Sequence, residues 1–323
     1  MGKMTRLLIT GATGFVGAAC VAEARARGIE VVALYRRSQP ADWARDRGIQ
    51  PLQGDLSDPA TARELDAILG ECQAVIHAAA HLGGDSGAHR NDTLRGTETL
   101  LTAMQGTNAR LVLVSSIAVY DTMQVDPGAV LDESSPLGDP DHPRDAYSEA
   151  KLRQEILCRA AGVPLWILRP GAIYGPGRSW HALLGFFASK LHVQINSDGE
   201  LPLTHVSHTA WALVEAATRD PQGTPVLNLL DDDRPTRARF LRAHRRMVGW
   251  PRLVLPVPYR LWLTLVHVVK PISGKLPGLF QEPTLRARLM PLRWPNTALR
   301  HALGGEDRDT FEGMLARTLE GER

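Results

Sequence analysis

The sequence has 323 residues, 44% of them hydrophobic and 22% charged, with a formal net charge of +2. That is ample for a large core, in one big domain or two unequal ones, and the near-neutral balance points to no nucleic-acid or strongly acidic partner. Three scattered cysteines (Cys20, Cys72, Cys158) without CxxC spacing read as small buried apolar residues of a reducing compartment.

In chain order, RLLIT (6–10) is a continuous apolar run ended by Gly11, the pattern of a strand buried on both faces. Residues 14–28 have helical character and stop at Gly28. EVVALY (30–35) and IQPLQGDL (49–56) hold the second and third strands, and PATARELDAIL (59–69) a helix with Pro at its start. Strands are then expected at 74–80, 110–116 and 164–170, and helices at 95–105 and 147–162, the last with Leu152, Ile156 and Leu157 on its apolar face. Short strands recur at 203–207 and 225–230 among Pro- and aromatic-rich pieces. This alternation predicts an α/β, Rossmann-type doubly wound parallel sheet with a smaller C-terminal substrate-binding region. The dinucleotide domain is placed at 1–175, with 203–232 returning to it, and the cap at 176–202 and 233–323. The longest apolar run, 253–269, is broken by Pro256, Pro258 and Arg260, which argues against an integral membrane span. The N-terminus has no stretch long enough for a signal peptide, and Arg6 stands where a myristoylation signal needs Ser or Thr. A soluble cytoplasmic protein is expected.

TGATGFVG sets Gly11, Gly14 and Gly17 between a strand and a helix, as a dinucleotide pyrophosphate requires: a tight turn, close backbone approach and close helix–strand packing. Where NAD sites carry an acid at the end of the second strand, this chain has Tyr35-Arg36-Arg37. Guanidinium groups suit a 2′-phosphate, so NADP(H) is expected over NAD(H), with Arg36 the better candidate and Arg37 the second. Ser115 and Ser116 end the fifth strand, and DAYSEAK (145–151) opens the next helix with Tyr147 and Lys151 on one face. A phenol is a poor acid–base group near neutral pH; a neighbouring ammonium is expected to favour its phenolate.

GATGFVG (11–17), GDLSD (54–58), VIHAAA (75–80), GTETLL (96–101), VSSIAVY (114–120), DESSPL (132–137), YSEAK (147–151) and LRPGAIYGPG (168–177) together resemble the extended short-chain dehydrogenase/reductases of the NAD-dependent epimerase/dehydratase type. The resemblance implies that Thr13, Phe15 and Val16 complete the glycine cradle, that Asp55 and Leu56 lie against the adenine, and that Ala78, Ala79 and Ala80 line the ribose and nicotinamide. It further implies that Ser116 orients the substrate, Tyr147 is the acid/base, Lys151 holds the nicotinamide ribose, and Pro170, Ala172 and Ile173 border the nicotinamide. It also implies a homodimer through helices 95–105 and 147–162.

Two departures bear on this. Thr93 stands where the family often has Asn. The stretch 195–208 has no Arg or Lys to grip a diphosphate, whereas Trp180, Leu183, Leu184, Phe186, Phe187 and Trp262 suit an apolar pocket or the cap's own core. The expected function is NADP(H)-dependent interconversion of a ketone and a secondary alcohol on a fairly apolar small molecule, as in the ketoreductase and hydroxysteroid-dehydrogenase-like branches. The alternatives are a nucleotide-sugar epimerase or dehydratase and a non-enzymatic NADP-sensing regulator. His81, Asp85, Tyr174 and Trp180 are the substrate-side candidates, though 82–90 also reads as a solvent loop. No metal is expected, because neither His77/His81 nor His205/His208 has ligand spacing on one element. The charged run 231–246 reads as a helix start with acids at its N-terminal end.

Overall fold

The computed structural model describes residues 5–276 and 278–321; residues 1–4, on which the expected absence of an N-terminal signal partly rests, lie outside it. The first half alternates as the hydrophobic pattern requires: β1 (Arg6–Thr10), α1 (Phe15–Ala26), β2 (Glu30–Tyr35), β3 (Ile49–Gln53), α2 (Thr61–Leu69), β4 (Ala74–His77), a single turn α3 (Ser86–Ala88), α4 (Gly96–Met104), β5 (Arg110–Val114), α5 (Ala146–Ala160) and β6 (Leu165–Pro170). The second half holds β7 (Ala172–Tyr174), β8 (Gly185–Ala188), β9 (Leu191–Asn196), β10 (Leu203–His205), α6 (Val206–Ala217), β11 (Val226–Leu229), α7 (Arg237–Val248), β12 (Leu253–Pro258), α8 (Tyr259–Val269), α9 (Glu282–Leu289), α10 (Thr297–Leu303) and α11 (Phe311–Glu320).

Seven parallel strands form one sheet in the order β11-β6-β5-β4-β1-β2-β3. Because β1 is buried on both faces, its alternate side chains serve two cores. Leu7 and Ile9 pack with Cys20, Val21 and Leu213 of α1 and α6, while Leu8 packs with Leu65 and Leu100 of α2 and α4. The strand order reverses between β1 and β4, which places a crevice at their carboxyl ends. All three cysteines are buried and free.

Over those ends sits a second core. β12 pairs parallel with β9, and β8 antiparallel with it. Tyr259, Trp262 and Val266 of α8 pack there with Val193, Ile195, Leu285 and Leu289. The sequence pattern did not show this small sheet, because β8 and β9 together span only a dozen residues with little alternation. The expected apolar face of α5 is also revised: Leu152 is buried, but Ile156 is 54% exposed, while Lys151, Gln154 and Glu155 point inward. The helix turns its polar side to the core because that side is fully hydrogen-bonded there.

Candidate active site

The crevice is a cavity of about 830 Å³ at the carboxyl ends of β1, β4, β5 and β6. The chain leaves β1 through Gly11 at φ +63°, where a Cβ would lie 2.9 Å from Ala79 Cα. At Gly17 a Cβ would lie 2.1 Å from the Gly11 carbonyl oxygen, so both positions need glycine. The N-terminus of α1 has no side-chain cap at Gly14 and opens on the cavity, leaving backbone N–H groups to face an anion. Thr13, Phe15 and Val16 line the same cradle, which therefore fits a dinucleotide pyrophosphate. Further along, Arg36, Asp55, Leu56, Ala78, Ala79, Ala80, Pro170, Ala172 and Ile173 also line the cavity; Arg37 does not. Arg36 pairs with Asp92 at 3.2 Å and Asp55 at 3.8 Å, so a 2′-phosphate would have to draw the guanidinium from two carboxylates.

Ser116, Tyr147 and Lys151 meet at the other end of the cavity. A capping box fixes the first turn of α5: the Asp145 carboxylate accepts from Ser148 N at 2.7 Å, and Asp145 N donates to Ser148 Oγ at 3.3 Å. Tyr147 stands on that turn, beside Ser116 in the wall of the cavity. Burial raises the Tyr147 pKa above the ordinary phenol value, with the Ser116 hydroxyl opposing the rise and Asp145 adding to it. The phenolate-favouring effect of Lys151 expected from the sequence is not what sets Tyr147 here, because the Lys151 ammonium turns the other way. It donates to Val114 O and to Gln154 Oε1, both at 2.8 Å.

Gln154 was not singled out by any motif, yet it joins Lys151 to a buried chain of polar groups. Its Nε2 donates to Thr97 Oγ1 at 2.9 Å, Thr97 Oγ1 lies 3.0 Å from His77 Nε2, and His77 Nδ1 lies 2.8 Å from Thr10 Oγ1. Thr10 Oγ1 accepts from Ala79 N at 3.2 Å, which returns the chain to the glycine cradle. Burial pulls Lys151 down to about 8 and His77 down to about 3, so His77 is neutral. The one sequence signal was spacing: Gln154 is three residues after Lys151, on the same helix face. Thr93 accepts from His81 N at 3.0 Å, a hydrogen bond of the kind the replaced Asn could accept.

The substrate-side candidates do not line the cavity. His81 packs its ring on His89, Asp85 caps α3 through Gly87 N at 2.7 Å, and Tyr174 is fully buried and donates to Asp231. Trp180 stacks edge-on with Trp250 at 4.6 Å, inside the cap. Of the apolar cap residues singled out, only Leu183 reaches the cavity, and Ile117, Ala118 and Trp294 complete its apolar wall. The stretch 195–208 gives it no basic group, but Arg144, Arg178 and Arg288 line it from elsewhere. Arg144 is held by Asp145 at 3.0 Å. Arg178 lies 4.6 Å over the Phe15 ring, and among the described residues no carboxylate pairs with it or with Arg288. His208 lies against Asp231 and Asp307, a cluster already satisfied by Arg300 at 2.7 Å and by His205 N. Among the described residues no helix is long and apolar enough to cross a membrane.

The sequence pattern of the NAD dependent epimerase/dehydratase family matches residues 7–227. A ketoreductase of Stigmatella aurantiaca, named for a 3-oxo-4-farnesyl-dihydroquinoline oxide, is 30% identical over 87% of this chain and 84% of its own. A dTDP-glucose 4,6-dehydratase of Mycolicibacterium smegmatis is 34% identical over 53% of this chain and 54% of its own. The structure of MoeE5 in complex with UDP-glucose and NAD superposes with a TM-score of 0.70 over 98% of both chains, at 21% identity.

Proposed function

The chain belongs to the NAD-dependent epimerase/dehydratase family of extended short-chain dehydrogenase/reductases, and from that premise we propose that it is an NADP(H)-dependent reductase interconverting a ketone and a secondary alcohol on a fairly apolar small molecule. The observation that carries this reading is the Ser116–Tyr147 hydroxyl pair at the end of the cavity, with Tyr147 held in its neutral form. A neutral phenol beside a second hydroxyl can donate a proton to a carbonyl oxygen that the two groups hold between them. Ser116 orients that oxygen, Tyr147 supplies its proton in reduction and removes it in oxidation, and Lys151 holds the cofactor ribose. The bound nicotinamide supplies or accepts the hydride. The apolar wall of Ile117, Ala118, Leu183 and Trp294 and the farnesyl ketone named for the Stigmatella relative support the substrate class. With NADPH deuterated at both nicotinamide C4 positions, the isolated alcohol carries one deuterium at its carbinol carbon; an alcohol formed without that label contradicts the reading.

A second reading, epimerisation or dehydration of a nucleotide sugar without net redox change, is favoured by Arg178 and Arg288, whose guanidinium groups have no carboxylate partner among the described residues and could meet a diphosphate. Homodimerisation through α4 and α5 belongs to the proposal as well, with the exposed Ile156 available to that contact.

Arg36→Ala is expected to weaken NADPH by about 1–3 kcal/mol, the cost of a lost charged hydrogen bond, and NADH far less. Equal losses, measured by fluorescence titration of both cofactors, would show that the pairing with Asp92 and Asp55 outweighs a phosphate. A further expectation concerns pH. Lys151 is an ammonium below about 8 and loses its proton as pH rises through that value, so cofactor affinity falls along an alkaline limb there. Gln154→Leu removes one of the two acceptors of the ammonium and moves the limb to lower pH, whereas Gln154→Glu moves it higher. A limb that stays in place in both variants would make Gln154 a packing residue only.

A further inference from the structure

The outer surface of the cap concentrates exposed apolar side chains. Among the described residues, eight of the fourteen exposed large apolar side chains fall within residues 248–272. On α8, Leu261, Leu265 and Val268 are 63%, 39% and 72% exposed and share one face by their i, i+4, i+7 spacing, while Tyr259, Trp262 and Val266 anchor the opposite face in the cap core. β12, which runs directly into α8, is an edge strand that shows Leu253 and Leu255 to solvent. Before it, Trp250 stacks on Phe187 at 5.0 Å and is itself 41% exposed. Soluble monomers rarely leave so much apolar surface in one region.

The same region is strongly basic. Between Asp233 and Glu282 the sequence contains no Asp or Glu, but ten Arg and Lys, of which Arg237 is buried and Arg234 and Arg239 are paired with Glu200, Asp233 and Glu312. Arg242, Arg245, Arg246, Arg252 and Arg260 are exposed, and among the described residues none of them has a carboxylate partner. The acid packed nearest to α8 is Glu282 of α9, already held by Arg286 at 3.1 Å and by His267 at 3.2 Å. Two copies meeting through this face about a twofold axis would set the basic stretch against itself, which disfavours a second copy as its occupant. At eleven residues α8 is too short to span a bilayer, but it suits lying in the plane of one.

We propose that the surface formed by β12 and α8 docks the protein on a lipid bilayer bearing anionic headgroups, with Leu261, Leu265 and Val268 entering the interface and the flanking arginines meeting the headgroups. α9 packs on α8 and contributes Ala287 and Arg288 to the cavity wall, so docking brings the cap side of the cavity close to the bilayer, where apolar molecules concentrate. The docking stands on the surface alone and does not depend on which reaction the cavity performs.

The test is co-sedimentation of the full chain with vesicles of phosphatidylcholine alone and of phosphatidylcholine mixed equally with phosphatidylglycerol. The protein is expected to sediment with the mixed vesicles at low salt and to lose at least about tenfold in affinity with neutral vesicles or at high salt. Leu261→Asp/Leu265→Asp is expected to lower binding to the mixed vesicles by a further factor of about ten or more, with an unchanged melting temperature because both side chains are exposed. No binding to the mixed vesicles overturns the proposal, and so does binding that the double variant leaves intact. A lipid-free dimer that the double variant dissociates overturns it too, and assigns the face to a contact between copies.

Discussion

Tyr147→Phe is expected to lower kcat by about 10²–10⁴-fold, the range for loss of a positioned general acid, while leaving cofactor affinity nearly unchanged. The substitution removes one hydroxyl and keeps the ring, which packs 5.9 Å from His89, so the first turn of α5 and its capping box stay in place. Lys151, the group assigned to the cofactor ribose, loses neither of its acceptors, since neither is Tyr147. Steady-state kinetics beside a cofactor titration separates the outcomes. A fall in kcat with constant cofactor affinity supports proton transfer by Tyr147. Full activity in the variant removes Tyr147 from the chemistry, and parallel loss of cofactor binding makes it a structural residue.

The second large effect lies two turns further along α5. Glu155 and Arg169 are 3% and 2% exposed and pair bidentately, at 2.9 Å from Nε and 2.7 Å from Nη2. Ser115 Oγ also donates to Glu155, at 2.5 Å, and the Arg169 guanidinium lies 4.9 Å over the Tyr120 ring. Glu155→Ala strands a guanidinium in the core and is expected to cost about 3–5 kcal/mol of stability, whereas Glu155→Leu combined with Arg169→Met recovers most of that loss. Urea denaturation of the three proteins measures both effects. A single-variant loss below about 1 kcal/mol would show that water reaches the pair. The pair ties α5 to β6 and to the end of β5, so it sets the register in which Tyr147 and Lys151 face Ser116.

The glycine cradle and the Tyr147–Lys151 pair were legible because each is written in a short window: Gly11 and Gly17 within seven residues, Tyr147 and Lys151 one turn apart. The doubly wound sheet was legible for a related reason, since strands buried on both faces read as unbroken apolar runs. What escaped depends on contacts between distant segments. Gln154 reaches Thr97 across 57 residues of sequence. Arg178 and Arg288 come to one cavity from the loop after β7 and from α9. Apolar content left a pocket and the cap's own core both open at Trp180, which packs edge-on against Trp250 in the cap. In 253–269 apolar content gave no sign that the first six residues would be strand, or that an apolar face would be left outside.

The central claim is net redox chemistry on an apolar carbonyl compound. It is tested most directly by following nicotinamide absorbance with two substrate pools, one of apolar ketones and alcohols and one of nucleotide sugars, each with reduced and oxidised NADP and NAD. The account predicts a net absorbance change with the apolar pool, larger with the NADP pair. Conversion of a nucleotide sugar with no net absorbance change, and no reaction in the apolar pool, would contradict it and assign Arg178 and Arg288 to a diphosphate.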